Sequence, residues 1–554
     1  MAYVKHVANQ QTPQMEQARE DQIENSAGGY VFKITDWDRL DRFLILGCEK
    51  GTYYATERKL TIENFKAIEK LLFEDGKRVV DRIVKISQEG RAPKNAPAVF
   101  ALAIASIYGD LATRTYANKN VSKVCRYSTD LFSWVNSVVE LKEGRKSKGL
   151  QRAIGRWYNE QTSSQIAYQV CKYPGRSVDK QRWTHRDLLR IFRPGTKKKA
   201  DPALTTASTE HGSIFRYVVK GKEVFDELEE NAFKEIFGDN ENLKYIYGHE
   251  MAKVATKSSE VIPLISKYGL TRESIPNNLF DASIWKALLP HMPMTALIRN
   301  LGRMTMAEVF KPLSDETSFV ADKITNEEIL KKARIHPMSI LLALKIYTQG
   351  GGIRSDWKPV GVISDALEKA FYLAFKNVEP TGKKIMAGID VSGSMWWSHC
   401  IGSEILNAGE AAAVIAMAIA RKEKNHYMKA FSDKLIDLDF RSNITLETLI
   451  QKMKGIEFGG TDCSLPILHA IEKKIDVDAF IVLTDSETWA GRVHPFEALK
   501  SYRKKFNPNA KMIVAAFSAT DFSIADPKDA GMMDVVGLDS STPQIISDFI
   551  AGRI

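Results

Sequence analysis

The chain has 554 residues, of which 44% are hydrophobic and 26% charged, and its formal net charge at pH 7 is +10. This length and composition exclude a single small domain and a disordered or fibrous chain, and they predict several globular domains. Five scattered cysteines without a C-x-x-C pair argue against a disulfide framework and a zinc site. Residues 1–25 lack the apolar run of a signal peptide, and no segment reaches the roughly 18 apolar residues of a membrane span, so we expect a soluble, cytoplasmic protein without membrane contact.

The first part of the chain is predicted to be helical. Residues 1–25 are rich in Gln and Glu and predict a mobile polar arm. From residue 26 to residue 380, apolar residues recur at helical spacing and short loops join the segments. This pattern favours stacked helical pairs of the solenoid kind, although the sequence has no clean repeat period. The predicted helices cover residues 37–48, 65–73, 77–88, 98–108, 121–139, 150–158, 165–172, 214–219, 224–237, 339–347 and 365–376.

Positive charge is concentrated in one part of this helical region. Residues 111–200 contain 20 Lys and Arg against 6 Asp and Glu, a net charge of +14, so the rest of the chain sums to −4. A basic excess confined to one segment indicates a surface for a polyanion, and a solvated basic face without a partner is the alternative. The candidate residues on the predicted helices and their joins are Arg145, Lys146, Lys148, Arg152, Arg156, Lys172, Arg176, Lys180, Arg182, Arg186 and Arg190.

Aromatic side chains are interleaved with these cations. Trp157, Tyr158, Tyr173 and Trp183 supply the mixture that neutralises phosphates and stacks unpaired bases. The same residues also suit a hydrophobic core, and for Trp157 and Trp183 that interpretation has at least equal weight. His185 by itself predicts a structural or capping histidine.

Strands and helices alternate after residues 378–382, which mark the start of a second domain over residues 381–554. The predicted strands cover 385–390, 426–432, 479–484 and 511–517, and the predicted helices cover 401–420, 446–454, 464–474, 495–505 and 543–552. This order predicts a doubly wound α/β domain with a parallel sheet, in which ligands bind at the carboxyl ends of the strands. Trp396 and Trp397 either lie exposed at that edge or cover the top of the core.

Oxygen-bearing side chains gather at those strand ends. They are Asp390, Ser392 and Ser394 after the first strand, Thr461 in the loop GGTD, and Asp485 after the strand 479–484. Short oxygen ligands of this kind suit a hard divalent cation such as Mg²⁺. The D-x-S-x-S motif with a distal Thr and a distal Asp resembles the metal-ion-dependent adhesion site of von Willebrand factor type A domains. A haloacid-type phosphatase would need Asp in place of Ser392, and a nucleophile elbow would need Gly in place of Asp390.

Longer motifs extend from residue 29 to the end of the chain. They include DRLDRFL at 38–44, WTHRDLLR at 183–190, PMTALIRNLG at 293–302, KARIHP at 332–337 and GGTDCSLP at 459–466. With these motifs, a helical region followed by a type A domain resembles the Ro ribonucleoprotein family. The resemblance implies a TROVE module over residues 26–380, a ring of HEAT-like helical repeats that the type A domain closes.

The resemblance also implies a function. The family's ring binds small noncoding Y RNAs on its outer surface and single-stranded 3′ ends of misfolded RNAs in its central hole, and it acts in RNA quality control, in bacteria with exoribonucleases. The basic positions of 145–190, with His185, fall where the family binds RNA, and Arg299 and Asn300 match a motif near its hole.

Two classes of function follow. The first is a monomeric RNA-binding scaffold that is not an enzyme, because a hydroxyl-rich metal site lacks the carboxylate-bridged pair of a two-metal nuclease. The alternative is a metal-dependent adhesion or accessory protein that binds a carboxylate of a protein partner, with the basic face incidental.

Overall fold

The structure, a computed structural model, has a helical region followed by an α/β domain, which confirms the predicted order. It describes residues 11–33, 35–46, 57–89, 95–141, 147–178, 181–193, 209–226, 232–333, 335, 337–352, 355–398, 400, 405–438, 443–457, 459–518, 522–537 and 542–552. Structural statements below concern these residues.

Short helices follow one another through the first region, and neighbours in sequence pack together. The helices of this region are α1 (Asp36–Leu46), α2 (Glu57–Glu89), α3 (Ala96–Tyr108), α4 (Leu111–Lys119), α5 (Val121–Val124), α6 (Ser128–Leu141), α7 (Lys148–Asn159), α8 (Ser163–Lys172), α9 (His185–Phe192), α10 (Thr209–Lys220), α11 (Glu223–Asp226), α12 (Lys244–Val254), α13 (Ser258–Tyr268), α14 (Ala282–Leu288), α15 (Met294–Met306), α16 (Asp315–Thr325), α17 (Glu327–Lys332), α18 (Pro337–Gln349) and α19 (Gly361–Ala374). A π-helical turn covers Lys234–Gly238, and 3₁₀ turns cover Arg272–Ser274, Asn277–Leu279, Leu289–His291 and Phe375–Asn377.

The helices of the second domain are α20 (Ser394–Trp397), α21 (Ala408–Lys422), α22 (Leu446–Lys454), α23 (Leu465–Lys473), α24 (Pro495–Lys505) and α25 (Thr542–Ile550). The strands of the whole chain are β1 (Gln22–Glu24), β2 (Tyr30–Lys33), β3 (Gly175–Val178), β4 (Gln181–Thr184), β5 (Gly351–Gly352), β6 (Ser355–Asp356), β7 (Ile385–Asp390), β8 (His426–Phe431), β9 (Leu435–Asp437), β10 (Ala479–Thr484), β11 (Lys511–Ala516), β12 (Phe522–Ser523) and β13 (Met532–Val536).

One predicted helix break is confirmed, and one predicted helix is divided in the structure. The break predicted between residues 73 and 77 lies within α2 at Asp75, whose backbone is not helical (φ −154°, ψ 77°). At the kink the Asp75 carboxylate accepts the Arg78 backbone N–H at 3.0 Å and caps the second half of the helix. The single helix predicted over 121–139 is α5 followed by α6, because residues 125–127 leave the helical conformation.

The second domain is built on a sheet of six strands in the order β13-β11-β10-β7-β8-β9. Strand β7 pairs in parallel with β10 and with β8, and every residue of β7 and β10 is buried. Helix α21 covers one face of the sheet, and α23 and α24 cover the other. Continuous apolar strands are expected where both faces of a sheet are covered, so the sequence pattern and the burial agree.

The sheet is mixed, which corrects the prediction of a parallel sheet. Edge strand β9 runs antiparallel to β8, with Lys429 opposite Asp437. The sequence does not predict β9, because its three residues are too few and too exposed to form a pattern. The helix predicted from residue 401 begins instead at residue 408, where Asn407 and Glu410 form a capping box.

The helical region has two hydrophobic cores. One joins buried side chains from Leu40 to Ile246. The other begins at Ala252 and continues through α18 and α19 into α21 and α22 of the second domain. The two domains therefore share apolar packing. Within the described chain, we find no helix that combines the length and apolarity needed to cross a membrane.

The N-terminal segment belongs to the second domain, which corrects the expectation of a mobile polar arm for its described part, residues 11–25. Strands β1 and β2 form a hairpin, and β2 pairs with β12 of the second domain. Gln14 is fully buried, and its Nε2 donates to Asp462 Oδ1 at 2.7 Å and to the Val493 carbonyl at 2.8 Å. The Thr488 hydroxyl donates to Gln14 Oε1 at 2.6 Å, so the polar side chain that predicted mobility is fixed in place. We call residues 11–33 the N-terminal strap.

Both ends of the helical region contact the second domain. The N-terminal strap leads directly into α1. At the other end, the Arg421 guanidinium lies 4.8 Å from the ring centroid of Tyr372, and Lys345 pairs with Glu410 at 2.6 Å. Segments at both ends of the helical region therefore contact the same domain.

Candidate metal site and basic surface

The first three predicted metal ligands lie where β7 ends, at the centre of the sheet. Asp390 is fully buried between β8 and β10. Its Oδ1 accepts the Ser392 backbone N–H at 2.8 Å, and the hydroxyl oxygens of Ser392 and Ser394 lie 3.2 Å apart. Thr484, the last residue of β10, donates its hydroxyl to Asp390 Oδ2 at 2.7 Å. Both carboxylate oxygens of Asp390 are therefore held in fixed positions.

The other two predicted ligands reach the same edge from later segments. Asp485 directly follows β10 and is buried. Burial raises the pKa of its carboxyl, and its interaction with the Ser394 side chain lowers that pKa. Thr461 is buried in the loop before α23, and its carbonyl accepts the backbone N–H of Trp489 at 3.0 Å. That bond joins the Thr461 loop to the segment that follows Asp485. The fold thus brings all five predicted residues to one edge of the sheet.

The electrostatics of this edge favour a cation. Burial, together with the charge of Asp485, raises the pKa of Asp390 to about 7, and burial also raises the pKa of Asp485. A divalent cation between two such carboxylates would offset their charges and lower both pKa values. Across the described ranges, no group of three or more His, Cys, Asp and Glu side chains is arranged to hold a metal. The candidate donors at this edge are the carboxylates of Asp390 and Asp485 and the hydroxyls of Ser392, Ser394 and Thr461. That oxygen set fits a hard ion such as Mg²⁺.

The two tryptophans beside this edge have different environments. Trp397 is 79% exposed. Trp396 packs against Gly409, where a Cβ would lie 2.8 Å from the indole ring, and the Lys454 ammonium lies 5.3 Å from its centroid. Each of the two interpretations left open by the sequence therefore holds for one residue: Trp397 is exposed and Trp396 covers the core.

The basic candidates that the structure describes lie on three elements: α7, the β3–β4 hairpin with the end of α8, and α9. Helix α9 packs against α7, and the hairpin packs against α6. We call these candidates the basic surface: Lys148, Arg152, Arg176, Arg182, Arg186 and Arg190 are exposed, and Arg156 and Lys172 are half-buried. Arg145, Lys146 and Lys180 lie outside the described residues.

The segment before α9 is a hairpin, which corrects the prediction of a loop. Arg176 lies opposite Trp183 across the hairpin, and Ser177 lies opposite Arg182. Trp183 is buried, and its Nε1 donates to Asn136 Oδ1 at 2.9 Å, which anchors the hairpin on α6. Two arginines of the basic surface therefore stand on an anchored element.

His185, which the family resemblance places where RNA binds, is buried beneath the basic surface. Its side chain is 2% exposed, its Nδ1 lies 2.6 Å from the Tyr158 hydroxyl, and its ring lies 5.1 Å from that of Phe132. Burial lowers the pKa of His185 to about 3, so the ring is neutral at neutral pH. Trp157 and Tyr158 are also core residues, and Tyr173 is half-buried.

The two residues predicted near a central hole lie on α15. Arg299 is exposed, and Asn300 is half-buried and donates its Nδ2 to the Ala296 carbonyl at 2.8 Å. Arg299 is thus accessible to a ligand, whereas one donor of Asn300 is used within its own helix.

Comparison with known proteins places the chain in a family. A model described as the TROVE domain matches residues 23–350, and one described as the Ro60 vWA domain matches residues 384–550. The chain belongs to the Ro60 family. The RNA-binding protein RO60 of Caenorhabditis elegans is 35% identical over 598 aligned positions, covering 98% of this chain and 92% of that protein. The RNA-binding protein RO60 of Deinococcus radiodurans is 34% identical and covers 98% of both chains. The crystal structure of the Deinococcus radiodurans RO (RSR) protein gives a TM-score of 0.74 at 32% identity, covering 94% of this chain and 100% of that one.

Sequence reasoning missed three polar residues that support the candidate metal ligands in this Ro60 family member. Thr484 donates a hydrogen bond to Asp390. Its position at the end of a buried strand, directly before Asp485, could have identified it from the sequence. Asp462 accepts hydrogen bonds from the Ser464 backbone N–H, the Ser464 hydroxyl and the Gln14 side-chain amide. Its position next to Thr461 could have identified it from the sequence. Gln14 carried no signal, because its partners are remote in sequence.

Proposed function

We propose that this chain is an RNA-binding ribonucleoprotein scaffold that binds small noncoding Y-type RNA on its basic surface and single-stranded 3′ ends of misfolded RNA in a central hole. It acts as a monomer in cytoplasmic RNA quality control or processing, with an exoribonuclease as a partner and no catalysis of its own. Membership in the Ro60 family and the printed names of its relatives support RNA as the ligand class.

The observation that carries this proposal is the basic surface. Six of its cations are exposed on elements that pack together, within a segment of net charge +14. Guanidinium and ammonium groups spaced along such a surface neutralise phosphates and release counterions, which supplies sequence-independent affinity. Helices and a short hairpin offer no element shaped for the deep major groove of A-form RNA, so the ligand is recognised by its shape, its backbone and its unpaired bases.

The salt dependence of RNA binding tests this surface. Each phosphate contact contributes about 0.9 (or about 0.7 on single strands) to the slope of log affinity against log salt. The triple variant Arg182→Gln, Arg186→Gln, Arg190→Gln is expected to weaken binding of structured RNA and to flatten that slope by up to about 3. The double variant Lys500→Gln, Lys504→Gln removes exposed cations of the second domain and serves as control. Unchanged affinity and slope in the triple variant would reject the basic surface as the RNA site.

A ring needs both ends of the helical region to meet, and the contacts of both ends with the second domain meet this requirement. The hole of such a ring admits RNA only through a free end. We expect a structured RNA with a single-stranded 3′ tail to bind more tightly than the same RNA with a blunt end or in circular form. Arg299→Gln should remove that difference without changing binding at the basic surface. Equal affinity for the three RNAs would rule out threading and leave the basic surface untouched.

We also propose that Mg²⁺ binds at the sheet edge with Asp390, Ser392, Ser394, Thr461 and Asp485 as its ligands, directly or through water. The bound ion would supply a Lewis-acid position open to an acidic oxygen of a partner. Isothermal titration of the chelator-treated protein should show one Mg²⁺ site, and Asp390→Ala should abolish it while the far-ultraviolet circular dichroism stays the same. Equal Mg²⁺ affinity in the variant would reject this ligand set.

The second candidate function is a metal-dependent adhesion or accessory protein. The observation that favours it is Trp397, which is 79% exposed three residues after Ser394. If a protein carboxylate at the metal is the main ligand, EDTA should abolish partner binding and the triple Arg variant should retain it. RNA binding that survives EDTA and is lost in the triple variant decides for the scaffold.

A further inference from the structure

One aromatic side chain of the basic segment stands out by its exposure. Three of the four aromatic candidates of the sequence pattern, Trp157, Tyr158 and Trp183, are buried. Tyr127, in the turn between α5 and α6, is 50% exposed. Its ring centroid lies 6.0 Å from that of Tyr173, at an interplanar angle of 60°. An exposed tyrosine with a second ring behind it presents a flat apolar surface to solvent.

The two tyrosines are held in place by one buried residue, Gln169. Its side-chain Oε1 accepts the backbone N–H and the hydroxyl of Ser128, at 3.0 and 2.9 Å, which fixes the turn that carries Tyr127. Its backbone carbonyl accepts the Tyr173 N–H at 2.9 Å, which fixes the end of α8. The pair is therefore preorganised, and a ligand that binds it needs to order little of the protein.

Cations surround this pair. Arg126 and Arg176 are both exposed, and the charges of both lower the pKa of the Asp130 carboxyl, which burial raises. Arg176 is positioned by its Nη1, which donates to the Thr129 carbonyl at 3.3 Å. The Lys172 ammonium lies 5.4 Å from the ring centroid of Tyr173 and 3.7 Å from Glu273 Oε1. These three cations outnumber the carboxylates of Asp130 and Glu273, so the surroundings of the exposed ring carry net positive charge.

We propose that Tyr127 is a stacking platform for one unpaired RNA base, with Tyr173 supporting its ring and Arg126 and Arg176 binding the phosphates on either side. The inference rests on the proposed RNA-binding function and names the ligand class of this part of the surface: a nucleotide outside a duplex. Base–aromatic stacking tolerates any base, because every base has a π-face. The platform therefore distinguishes unpaired from paired RNA rather than one sequence from another.

The test compares two substitutions of the same residue in the full chain. The probes are an RNA hairpin with unpaired loop nucleotides and a blunt, fully paired duplex of the same stem, each titrated over a salt series. Tyr127→Ala should weaken binding of the looped RNA roughly 5- to 150-fold, the range that stacking of one base spans in alanine substitutions. The salt slope should stay the same because no phosphate contact is lost, and binding of the duplex should change by less than about twofold. Tyr127→Phe keeps the ring and should bind both RNAs like the wild type.

A matched control and a second readout keep the test independent of folding. Tyr427→Ala removes a tyrosine of similar exposure, 42%, from the second domain and should leave both affinities unchanged. A 2-aminopurine base in the loop should change its fluorescence when the wild-type protein stacks on it, and this change should be absent with Tyr127→Ala.

Three results would overturn the platform. They are unchanged affinity for the looped RNA in Tyr127→Ala, an equal loss for looped RNA and duplex, and no fluorescence change at any loop position with the wild type. Failure of the RNA-binding proposal is distinguishable, because the wild-type protein then binds neither RNA and both proposals fall together.

Discussion

The N-terminal strap allows a sharp prediction, because one buried side chain holds it. Gln14→Met keeps the length and approximate volume of the side chain and removes three hydrogen bonds, those to Asp462, Val493 and Thr488. Hydrogen bonds between neutral groups contribute about 0.5–1.5 kcal/mol each, and a bond to a carboxylate about 1.5–3 kcal/mol. The strap should therefore lose roughly 3–6 kcal/mol of its free energy of docking.

Hydrogen exchange measures this loss directly. The backbone N–H of Gln14 donates to the Gly491 carbonyl of the second domain at 2.9 Å, so its protection reports docking of the strap. Its protection factor should fall roughly 10²- to 10⁴-fold in Gln14→Met, down to the limit set by an unstructured segment. Gln11→Met is the matched control: Gln11 is half-buried, and its Nε2 donates only to the Glu497 carbonyl at 3.1 Å and the Ser501 hydroxyl at 2.7 Å. A protection factor of the residue-14 N–H within about threefold of wild type in Gln14→Met would refute the reasoning.

The strap also contacts the loop that carries Thr461, one of the proposed Mg²⁺ ligands. Burial raises the pKa of Asp462, and hydrogen bonds from Ser464 and Gln14 lower it. Loss of the Gln14 amide leaves this carboxylate with one donor fewer, directly beside Thr461. Mg²⁺ affinity should therefore fall in Gln14→Met and stay unchanged in Gln11→Met, in the same titration that tests Asp390→Ala.

Three further predictions concern buried residues. Burial lowers the pKa of His185 to about 3 in the folded chain, against 6.5 in the unfolded chain, so the unfolded chain binds more protons between these pH values. The free energy of unfolding should therefore fall as the pH drops below 6.5, by up to about 1.4 kcal/mol per pH unit. In urea titrations, the free energy of unfolding of His185→Asn should depend less steeply on pH, and an equal dependence would contradict this. Asp390→Asn should stabilise the protein in EDTA at pH 8, because it removes one of two buried charges. Mg²⁺ at 100 times its Kd should add about 2.7 kcal/mol to the free energy of unfolding of the wild type but not of this variant. Thermal unfolding with and without Mg²⁺ checks both predictions. A Cβ on Gly388 would lie 2.4 Å from Pro466 Cγ, so Gly388→Ala should cost about 1–3 kcal/mol in urea unfolding, whereas Gly361→Ala, which meets no atom within 4 Å, should not destabilise.

The sequence by itself determined the order of the domains and identified five residues that the structure brings to one edge of the sheet. Strands 385–390 and 479–484 were predicted with the bounds that the structure shows, because a central strand covered on both faces is a continuous apolar run. Asp390 and Asp485 end or follow these runs, and parallel strands carry their carboxyl ends to one edge. Local pattern and topology were sufficient there, since the site is assembled from the ends of adjacent strands.

Only the tertiary structure decided which polar and aromatic residues are buried. His185 and Trp183 lie within a strongly basic segment and are core residues, whereas Tyr127 in the same segment is exposed. Gln14 looked like part of a mobile arm, yet its partners Asp462 and Thr488 lie 448 and 474 residues further along the chain. The burial of a side chain and the partners of its hydrogen bonds depend on which remote segments pack over it, and composition and spacing within one segment carry no information about those segments.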